Sequence, residues 1–234
     1  MIDWAVIAGA LPDFIQGLQI TLLLLAMSLA TGFVLAIPLA TMRVSRHRWL
    51  SVPVWLYTYV IRGTPLLVQL FMIYFGLAQF EWIRETAAWT LLRSPWFCAW
   101  LAFSLNTAAY TTEIFAGALR NTASGELEAA RSLGLTPLQV YRRILWPGAL
   151  RRALPQYGNE AVGLMHATAI ASTVTLVELT RVARDVYSIH LMPTEAFGTV
   201  AAFYFVLTFT LVGIFKVLEW RFLRHLRRKE PSPA

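Results

Sequence analysis

The chain has 234 residues, of which 57% are hydrophobic and 14% are charged, and its mean hydropathy is +0.56. A soluble domain carries about 25% charged residues, so this composition excludes an ordinary soluble protein and indicates an integral membrane protein. The formal net charge of +7 is compatible with nucleic-acid binding, but the basic residues fall mainly between apolar stretches, as membrane orientation requires.

Five segments are long enough to cross a bilayer as helices, because about 20 residues span the hydrocarbon core and lipid penalises unpaired backbone groups. The sequence therefore predicts an all-α integral membrane protein with five transmembrane helices in a single domain, residues 1–234. The sequence "RGTP" (62–65) interrupts the second span, and the fourth span is unusually polar. In chain order the predicted spans are 18–42, 52–77, 95–119, 156–180 and 197–220.

Lys and Arg are distributed unevenly between the two sides of these spans. Fourteen of them lie in the 43–48 loop, the 120–152 region and the tail after residue 220, whereas the opposite loops hold four. Since cytoplasmic loops are enriched in Lys and Arg, we expect the N-terminus outside the cell, the C-terminus in the cytoplasm, and the segment 121–150 in the cytoplasm.

The cytoplasmic segment begins with signals for a short helix. Ser124 is a predicted N-cap, and Glu126 and Glu128 follow in the first turn, where the helix dipole favours negative charge. Gly134 is the expected left-handed residue that ends this helix.

A second short helix is predicted directly afterwards. Thr136 is its N-cap, Pro137 occupies the first helical position, and Gln139 completes a capping box. Pro147 is expected to end it. These signals predict two rigid helices with a tight turn between them, although an ordinary loop between spans stays an alternative.

The same segment resembles a known family motif. "EAA" at Glu128–Ala130, then Gly134, then "ILWP" at Ile144–Pro147 are similar to the EAA loop of ABC importer permeases, in register throughout. The resemblance implies a type I ABC importer transmembrane domain whose 121–150 loop docks on a cytoplasmic ATPase. The residues that it assigns to ATPase coupling are Gly125, Glu126, Glu128, Ala129, Ala130, Gly134, Ile144 and Pro147.

Further stretches are similar to the polar amino-acid uptake branch, namely "RGTPLLVQLF" (62–71) and "NTAAYTTEIFAGALR" (106–120). Glu126 and "HATAI" (166–170) depart from most of that branch and resemble the M-type permease subunit of histidine/lysine/arginine/ornithine and opine importers. The resemblance implies a multi-pass protein of the bacterial inner membrane with a periplasmic N-terminus. It also implies three kinds of partner: a homologous second permease subunit, two copies of the ATPase, and a periplasmic substrate-binding protein.

Catalysis by this chain itself is not expected. The sequence has no Gly-x-x-x-x-Gly-Lys-Ser/Thr loop, so ATP and Mg are expected to be used by the partner ATPase, with no cofactor on this chain. Its four histidines are scattered and Cys98 is its single cysteine, which predicts no metal site and no catalytic residue. A membrane-embedded enzyme and a secondary transporter are the rival classes.

Polar residues inside spans are costly and are therefore functional candidates. Those of the third span recur at i, i+4 and i+7 and share one helical face. Together with polar residues of the fourth span, they predict a path that suits a cationic amino acid, with carboxylates towards the cytoplasm. These substrate-path candidates are Asn106, Tyr110, Glu113, Glu160, His166 and Thr168.

Structural roles are the alternative for several of these candidates. Glu113 or Glu160 would then pair with Arg62 across the broken span, and His166 would join two helices by a hydrogen bond. Tyr110 would serve in packing. The substrate would be another polar amino acid or an opine if these groups play no part in recognition.

Overall fold

The computed structural model describes residues 3–223, which form helices joined by turns. The predicted all-α fold class is confirmed. Four residues used to predict the orientation, Arg224, Arg227, Arg228 and Lys229, lie outside the described residues.

The described residues form eleven α-helices, some of which continue through π or 3₁₀ turns. The π turns are Met72–Gly76 and Tyr141–Leu145, and the 3₁₀ turns are Leu77–Gln79 and Thr168–Val174. The helices are α1 (Trp4–Arg43), α2 (Arg48–Arg62), α3 (Leu66–Phe71), α4 (Glu81–Arg84), α5 (Trp89–Leu92), α6 (Pro95–Arg120), α7 (Ser124–Ser132), α8 (Pro137–Val140), α9 (Trp146–Ala167), α10 (Leu179–His190) and α11 (Pro193–Leu223).

Two of these helices, α1 and α11, are long and apolar enough to cross a membrane by themselves. Two bent pairs reach the same standard if each is counted as one span. The first joins Arg48–Arg62 to Leu66–Gln79 with a bend of 102°, and the second joins Pro137–Val174 to Leu179–His190 with a bend of 50°. The structure thus supports up to four spans by length and composition, one fewer than the five predicted.

The predicted third span corresponds to α6, which is 26 residues long but is not among these apolar helices. Its polar residues Asn106, Thr107, Thr111 and Thr112 are buried inside the protein. Because α1, α2, α3 and α9 pack around it, α6 is covered mainly by protein, and a helix in that position tolerates polar side chains.

The ends of two predicted spans differ from the observed helices. The first helix starts at Trp4 and runs for 40 residues with Pro12 and Pro38 inside it, well before the predicted start at residue 18. The fourth helical run ends at Val174, where Thr175 adopts a left-handed conformation with φ of 67°. The helix α10 that follows was not predicted.

Close packing joins α1 to α6 at Gly32. A Cβ atom at this position would lie 2.3 Å from Cγ2 of Thr107 and 3.1 Å from the backbone nitrogen of Ala108. Only glycine therefore fits this crossing, as is common where two membrane helices approach closely. The contact fixes the central helix α6, which carries three of the six substrate-path candidates.

Candidate functional site

The coupling segment, residues 121–150, begins with α7. Ala123 is the observed N-cap and makes no side-chain capping bond, so the predicted cap at Ser124 is wrong by one residue. Ser124 is the first helical residue, and its hydroxyl is therefore past the position from which it could accept from the first free N–H groups. Glu126 lies in the first turn as predicted, whereas Glu128 lies beyond it.

Gly134 ends this helix in the predicted left-handed conformation, with φ of 74°. Its N–H donates to the carbonyl of Arg131 at 2.9 Å, and the N–H of Leu135 donates to the carbonyl of Ala130 at 3.2 Å. This pair of hydrogen bonds is the Schellman motif, which satisfies the last carbonyls of a helix. The turn is therefore a defined structure rather than a flexible connection.

The second capping signal is confirmed in full. The backbone N–H of Gln139 donates to the Thr136 hydroxyl at 3.4 Å, and the backbone N–H of Thr136 donates to the Gln139 side chain at 2.8 Å. Pro137 occupies the first helical position of α8. Only two residues thus separate the turn at Gly134 from the next helix.

The prediction that Pro147 ends the second helix is wrong. The chain passes from α8 through the π turn Tyr141–Leu145 directly into α9, where Pro147 lies in the first turn. Pro147 is the second residue of α9, directly after the π turn, and the change of hydrogen-bond pattern at this point accommodates the missing N–H of proline. The second helix of the coupling segment therefore continues into the N-terminal end of α9 and is not a separate helix.

Side chains clamp the coupling segment to the rest of the bundle at two places. The hydroxyl groups of Tyr141 and Thr41 are hydrogen-bonded, which joins the π turn to α1. Arg152 on α9 donates to the Thr122 hydroxyl at 2.6 Å and to the carbonyl of Ala118 at 3.2 Å. The π turn is therefore bonded to α1, and the start of the coupling segment is bonded to α9.

The tip of the segment leaves apolar side chains uncovered. Leu133 is 81% exposed and Leu138 is 63% exposed, on either side of Gly134. Exposed apolar groups in one place are characteristic of an interaction surface. Of the predicted coupling residues, the exposed ones are Gly125, Glu126, Glu128, Ala129 and Gly134, whereas Ala130 is buried and Ile144 and Pro147 are half-buried.

A second group of candidates forms the polar centre, defined as Arg43, Thr58, Arg62, Gln69, Asn106, Tyr110, Glu113 and Glu160. In this cluster Glu113 accepts from Arg43 at 2.6 Å and from the Thr58 hydroxyl at 2.8 Å. The partner of Glu113 is thus Arg43 and not Arg62, since α1 places its last residue beside α6. This carboxylate joins α1, α2 and α6.

Arg62 lies instead over the ring of Tyr110, with its guanidinium carbon 5.1 Å from the ring centroid. Arg62 is exposed, and such a cation–π contact at an exposed site contributes about 0.5–1 kcal/mol. The Arg62 charge also acts on the carboxyl group of Glu160 on α9, and the side chain of Thr107 lies near the same carboxyl group. Two of the predicted path residues are therefore affected by one cation, Tyr110 by direct contact and Glu160 through space.

Of the remaining path candidates, Asn106 belongs to the polar centre through Gln69, whereas His166 and Thr168 lie outside it. Asn106 is 7% exposed and donates to the side chain of Gln69 at 3.1 Å. His166 is hydrogen-bonded to Thr208 on α11 at 3.0 Å, the helix–helix alternative. Thr168 is fully buried and donates to the carbonyl of Met165 at 2.6 Å, so its hydroxyl is used within its own helix.

The comparison with known proteins decides the family. Residues 10–224 match the family described as "Binding-protein-dependent transport system inner membrane component". The chain belongs to this family. It is a permease subunit of an amino-acid ABC importer, which confirms the resemblance inferred from the EAA motif.

Individual relatives cover nearly the whole permease. The nopaline transport system permease protein NocM of Agrobacterium fabrum (strain C58) is 42% identical over 233 residues, 99% of this chain and 97% of NocM. The histidine/lysine/arginine/ornithine transport system permease protein HisM of Escherichia coli (strain K12) is 44% identical over 212 residues, 90% of this chain and 89% of HisM. A solved structure described as "Crystal structure of an amino acid ABC transporter with histidines" matches with a TM-score of 0.84 and 32% identity, over 94% of this chain and 99% of that chain.

The permease also contains polar-centre residues that sequence reasoning did not select. Arg43 was assigned to a loop, and Thr58 and Gln69 were not singled out, although each lies in or beside an apolar span. The cost of a polar group inside a membrane was the signal available for Thr58 and Gln69. Their partners are 37 to 70 residues away in the chain, so spacing could not reveal the pairs.

Proposed function

We propose that this permease is one of two homologous membrane subunits of an ATP-driven importer for basic amino acids such as histidine, arginine, lysine or ornithine. Two copies of a cytoplasmic ATPase use ATP and Mg, and a periplasmic binding protein delivers the substrate. The permease itself binds no cofactor. The proposal also includes five membrane spans, with the N-terminus in the periplasm and the C-terminus in the cytoplasm. In this arrangement α7 and α8 face the ATPase.

One observation carries the coupling role, namely the uncovered tip at Leu133 and Leu138 on a rigid support. The Schellman turn and the capping box fix the angle between α7 and α8. Because α8 continues through a π turn into α9, a push on the tip is transmitted along one helical run to Glu160. Because Pro147 does not end the helix, no further turn interrupts the proposed path of force between α8 and Glu160.

The proposed cycle is alternating access. ATP binding brings the ATPase subunits together and moves the coupling segments of both permeases, which opens the path to the periplasm, and hydrolysis restores the inward-facing state. Such a cycle requires that nucleotide and substrate bind the two states with different affinities, since a ligand without that difference shifts no equilibrium.

Recognition of a basic substrate is proposed to involve Glu160 more than Glu113. The Glu113 carboxylate already accepts from Arg43 and Thr58, whereas Glu160 is half-buried and faces Arg62 through space. A substrate cation can replace the Arg62 charge near Glu160, while the substrate carboxylate meets the freed guanidinium. The 42% identity with NocM over 99% of the chain supports an opine as the second candidate substrate.

Uptake by the reconstituted complex tests this function. Vesicles that hold the two permeases and the ATPase are supplied with binding protein and with arginine, glutamine or an opine, with and without internal ATP. We expect ATP-dependent arginine uptake, and we expect Glu160→Gln to reduce it about tenfold or more with less effect on glutamine uptake. Uptake without the ATPase would indicate a secondary transporter, and equal loss for arginine and glutamine would contradict recognition by charge.

A crosslink tests the docking surface separately. Cys98 is fully buried, so a cysteine introduced at Leu133 is the accessible thiol of this chain. We expect Leu133→Cys to crosslink to the ATPase with a short thiol reagent. Gln79→Cys, at an exposed position far along the chain, serves as the control that should not crosslink.

A further inference from the structure

The break between α2 and α3 leaves a specific backbone group without a donor. In a continuous helix the carbonyl of Ile61 would accept from the N–H of residue 65. Residue 65 is proline, which has no N–H. An unpaired carbonyl in an apolar environment is costly, so the bend of 102° at this point requires another donor.

The Thr64 hydroxyl reaches the Ile61 carbonyl only at 3.4 Å, and Gln69, in the first turn after the break, supplies the shorter bond. Its side-chain nitrogen lies 2.7 Å from the carbonyl oxygen of Ile61, 3.0 Å from that of Thr64 and 2.8 Å from the Thr64 hydroxyl. Two amide hydrogens are thus shared among three acceptors, all of them at the break. The Gln69 side chain holds the two helical pieces at their observed angle.

The other end of the same amide is tied to the central helix. The Gln69 side-chain oxygen accepts from the Asn106 side chain at 3.1 Å, and Asn106 is buried on α6. Gln69 therefore connects the break to α6 through one planar group. This contact also gives Asn106 a defined use that does not involve substrate.

Arg62 is the last residue of α2 and directly precedes the break. Its guanidinium lies over Tyr110, one helical turn from Asn106 on α6, and acts on Glu160. Gln69 bonds to the carbonyl of Ile61, the residue before Arg62, so it is one of the ties that hold this end of α2 against α6, beside the hydroxyl bonds of Tyr57 and Thr58. Loss of the Gln69 bonds therefore loosens the end of α2 that carries Arg62.

We propose that Gln69 is a positioning residue for transport, which holds the break against Asn106 and thereby keeps Arg62 over Tyr110. The use of Arg62 in transport rests on the proposed function, but the control of the bend by Gln69 does not. Gln69 touches no substrate in this proposal, and it acts through the backbone of Ile61 and Thr64.

The first test replaces Gln69 by Glu in the complete reconstituted complex. The carboxylate keeps the size of the side chain but cannot donate to the carbonyls of the break when ionised. We expect arginine uptake to fall about tenfold, with normal assembly of the complex and continued basal ATP hydrolysis. The matched control is Gln79→Glu, since Gln79 lies on the same helical segment and donates only to Phe75 at 3.4 Å; equal uptake by the two variants would overturn the proposal.

A second variant separates positioning from simple satisfaction of a carbonyl. Pro65→Ala restores an N–H to Ile61 but favours a straight helix, so the double variant Gln69→Glu with Pro65→Ala should regain thermal stability without regaining uptake. Recovery of both properties would show that Gln69 merely satisfies a carbonyl, which overturns the proposal. If Gln69→Glu does not assemble, Asn106→Ala leaves the break bonded and frees it from α6; wild-type uptake by that variant would also overturn it.

The bend itself can be measured without transport. Val60 and Met72 are exposed on the two sides of the break and Cys98 is buried, so spin labels at Val60→Cys and Met72→Cys report one distance. We expect Gln69→Glu to broaden or lengthen the distribution of that distance, and an unchanged distribution would overturn the proposal. If the wild-type complex accumulates no amino acid while the distance responds to Gln69→Glu, the proposed function fails and the positioning of the bend stands.

Discussion

The coupling segment and the polar centre are both rich in polar residues, but they are built from contacts of different range. In the coupling segment, Thr136 bonds to Gln139 and Gly134 to Arg131, three residues apart in each case. In the polar centre, Arg43 bonds to Glu113 across 70 residues. Local chemistry therefore determines the first region, and the packing of helices determines the second.

This difference has an energetic consequence. A lost contact in the coupling segment affects one turn or one helix end, because the adjacent groups remain exposed to water. A lost contact in the polar centre leaves its partner without a hydrogen bond or a counter-charge among packed helices, which is more costly. Substitutions in the polar centre should therefore lower the stability of the helix bundle, whereas substitutions in the coupling segment should change its function with little effect on that stability.

The largest effect is expected for Glu113→Gln. The Arg43 and Glu113 side chains are each 18% exposed, so the pair is half-buried, and removal of one partner should cost up to about 3–5 kcal/mol, the range for a fully buried pair. We expect the purified complex to unfold at a clearly lower temperature. The control is Glu81→Gln, whose exposed pair with Arg84 at 3.9 Å contributes about 1 kcal/mol at most; similar effects of the two variants would remove the energetic difference between the regions.

The sequence was sufficient for the features that depend on neighbouring residues. Gly134, Thr136, Pro137 and Gln139 predicted a turn and a capping box, and the structure contains both. The interruption at 62–65 was also visible, because Gly and Pro inside an apolar run disturb a helix whatever surrounds it.

Features that depend on partners distant in the chain could not be predicted from neighbouring residues. As a structural alternative, the sequence offered Arg62 as a partner for Glu113 or Glu160, but the end of α1 brings Arg43 to Glu113 instead. Thr168 was chosen for its polarity, although its hydroxyl is satisfied by a carbonyl one turn earlier. Pro147 was read as a helix end because a π turn, which lets the helix continue past it, has no sequence signal of comparable strength.

Gly134→Val should have the largest effect within the coupling segment. The left-handed backbone at Gly134 costs about 1–2 kcal/mol for other residues, and an added Cβ atom would meet nothing within 4 Å among the described residues, so the cost is conformational. We expect reduced uptake and a weaker response of ATP hydrolysis to binding protein, with unchanged unfolding of the membrane helices. Gly134→Asn should retain most activity, because Asn tolerates this conformation; a lower unfolding temperature in Gly134→Val would contradict the local character of the turn.

Thr136→Ala should have a smaller effect. Loss of an N-cap costs about 1 kcal/mol, and here only the bond from the Gln139 N–H to the Thr136 hydroxyl is lost, because the backbone N–H of residue 136 can still donate to the Gln139 side chain. We expect faster amide hydrogen exchange in α8 than in the wild-type permease, with little change in α6. Thr136→Ser keeps the hydroxyl and should exchange like the wild type, and equal exchange in the Ala variant would show that the capping box is not needed.

Gly125→Ala is the smallest and most discriminating change. Gly125 is exposed within α7, and an added Cβ atom would meet nothing within 4 Å in residues 3–223. Alanine favours a helix over glycine by about 0.5–1 kcal/mol, so the isolated permease should be slightly stabilised. If α7 docks closely on the ATPase, the same methyl group should obstruct the partner and lower uptake.

The matched control is Gly117→Ala in α6, where an added Cβ atom likewise has open space. That variant should gain the same small helical stabilisation, and uptake should stay at the wild-type level. A loss of uptake confined to Gly125→Ala would place the functional difference at the surface of the coupling segment rather than in the stability of a helix. Equal uptake by both variants would instead remove Gly125 from the docking surface and leave the contact to Leu133 and Leu138.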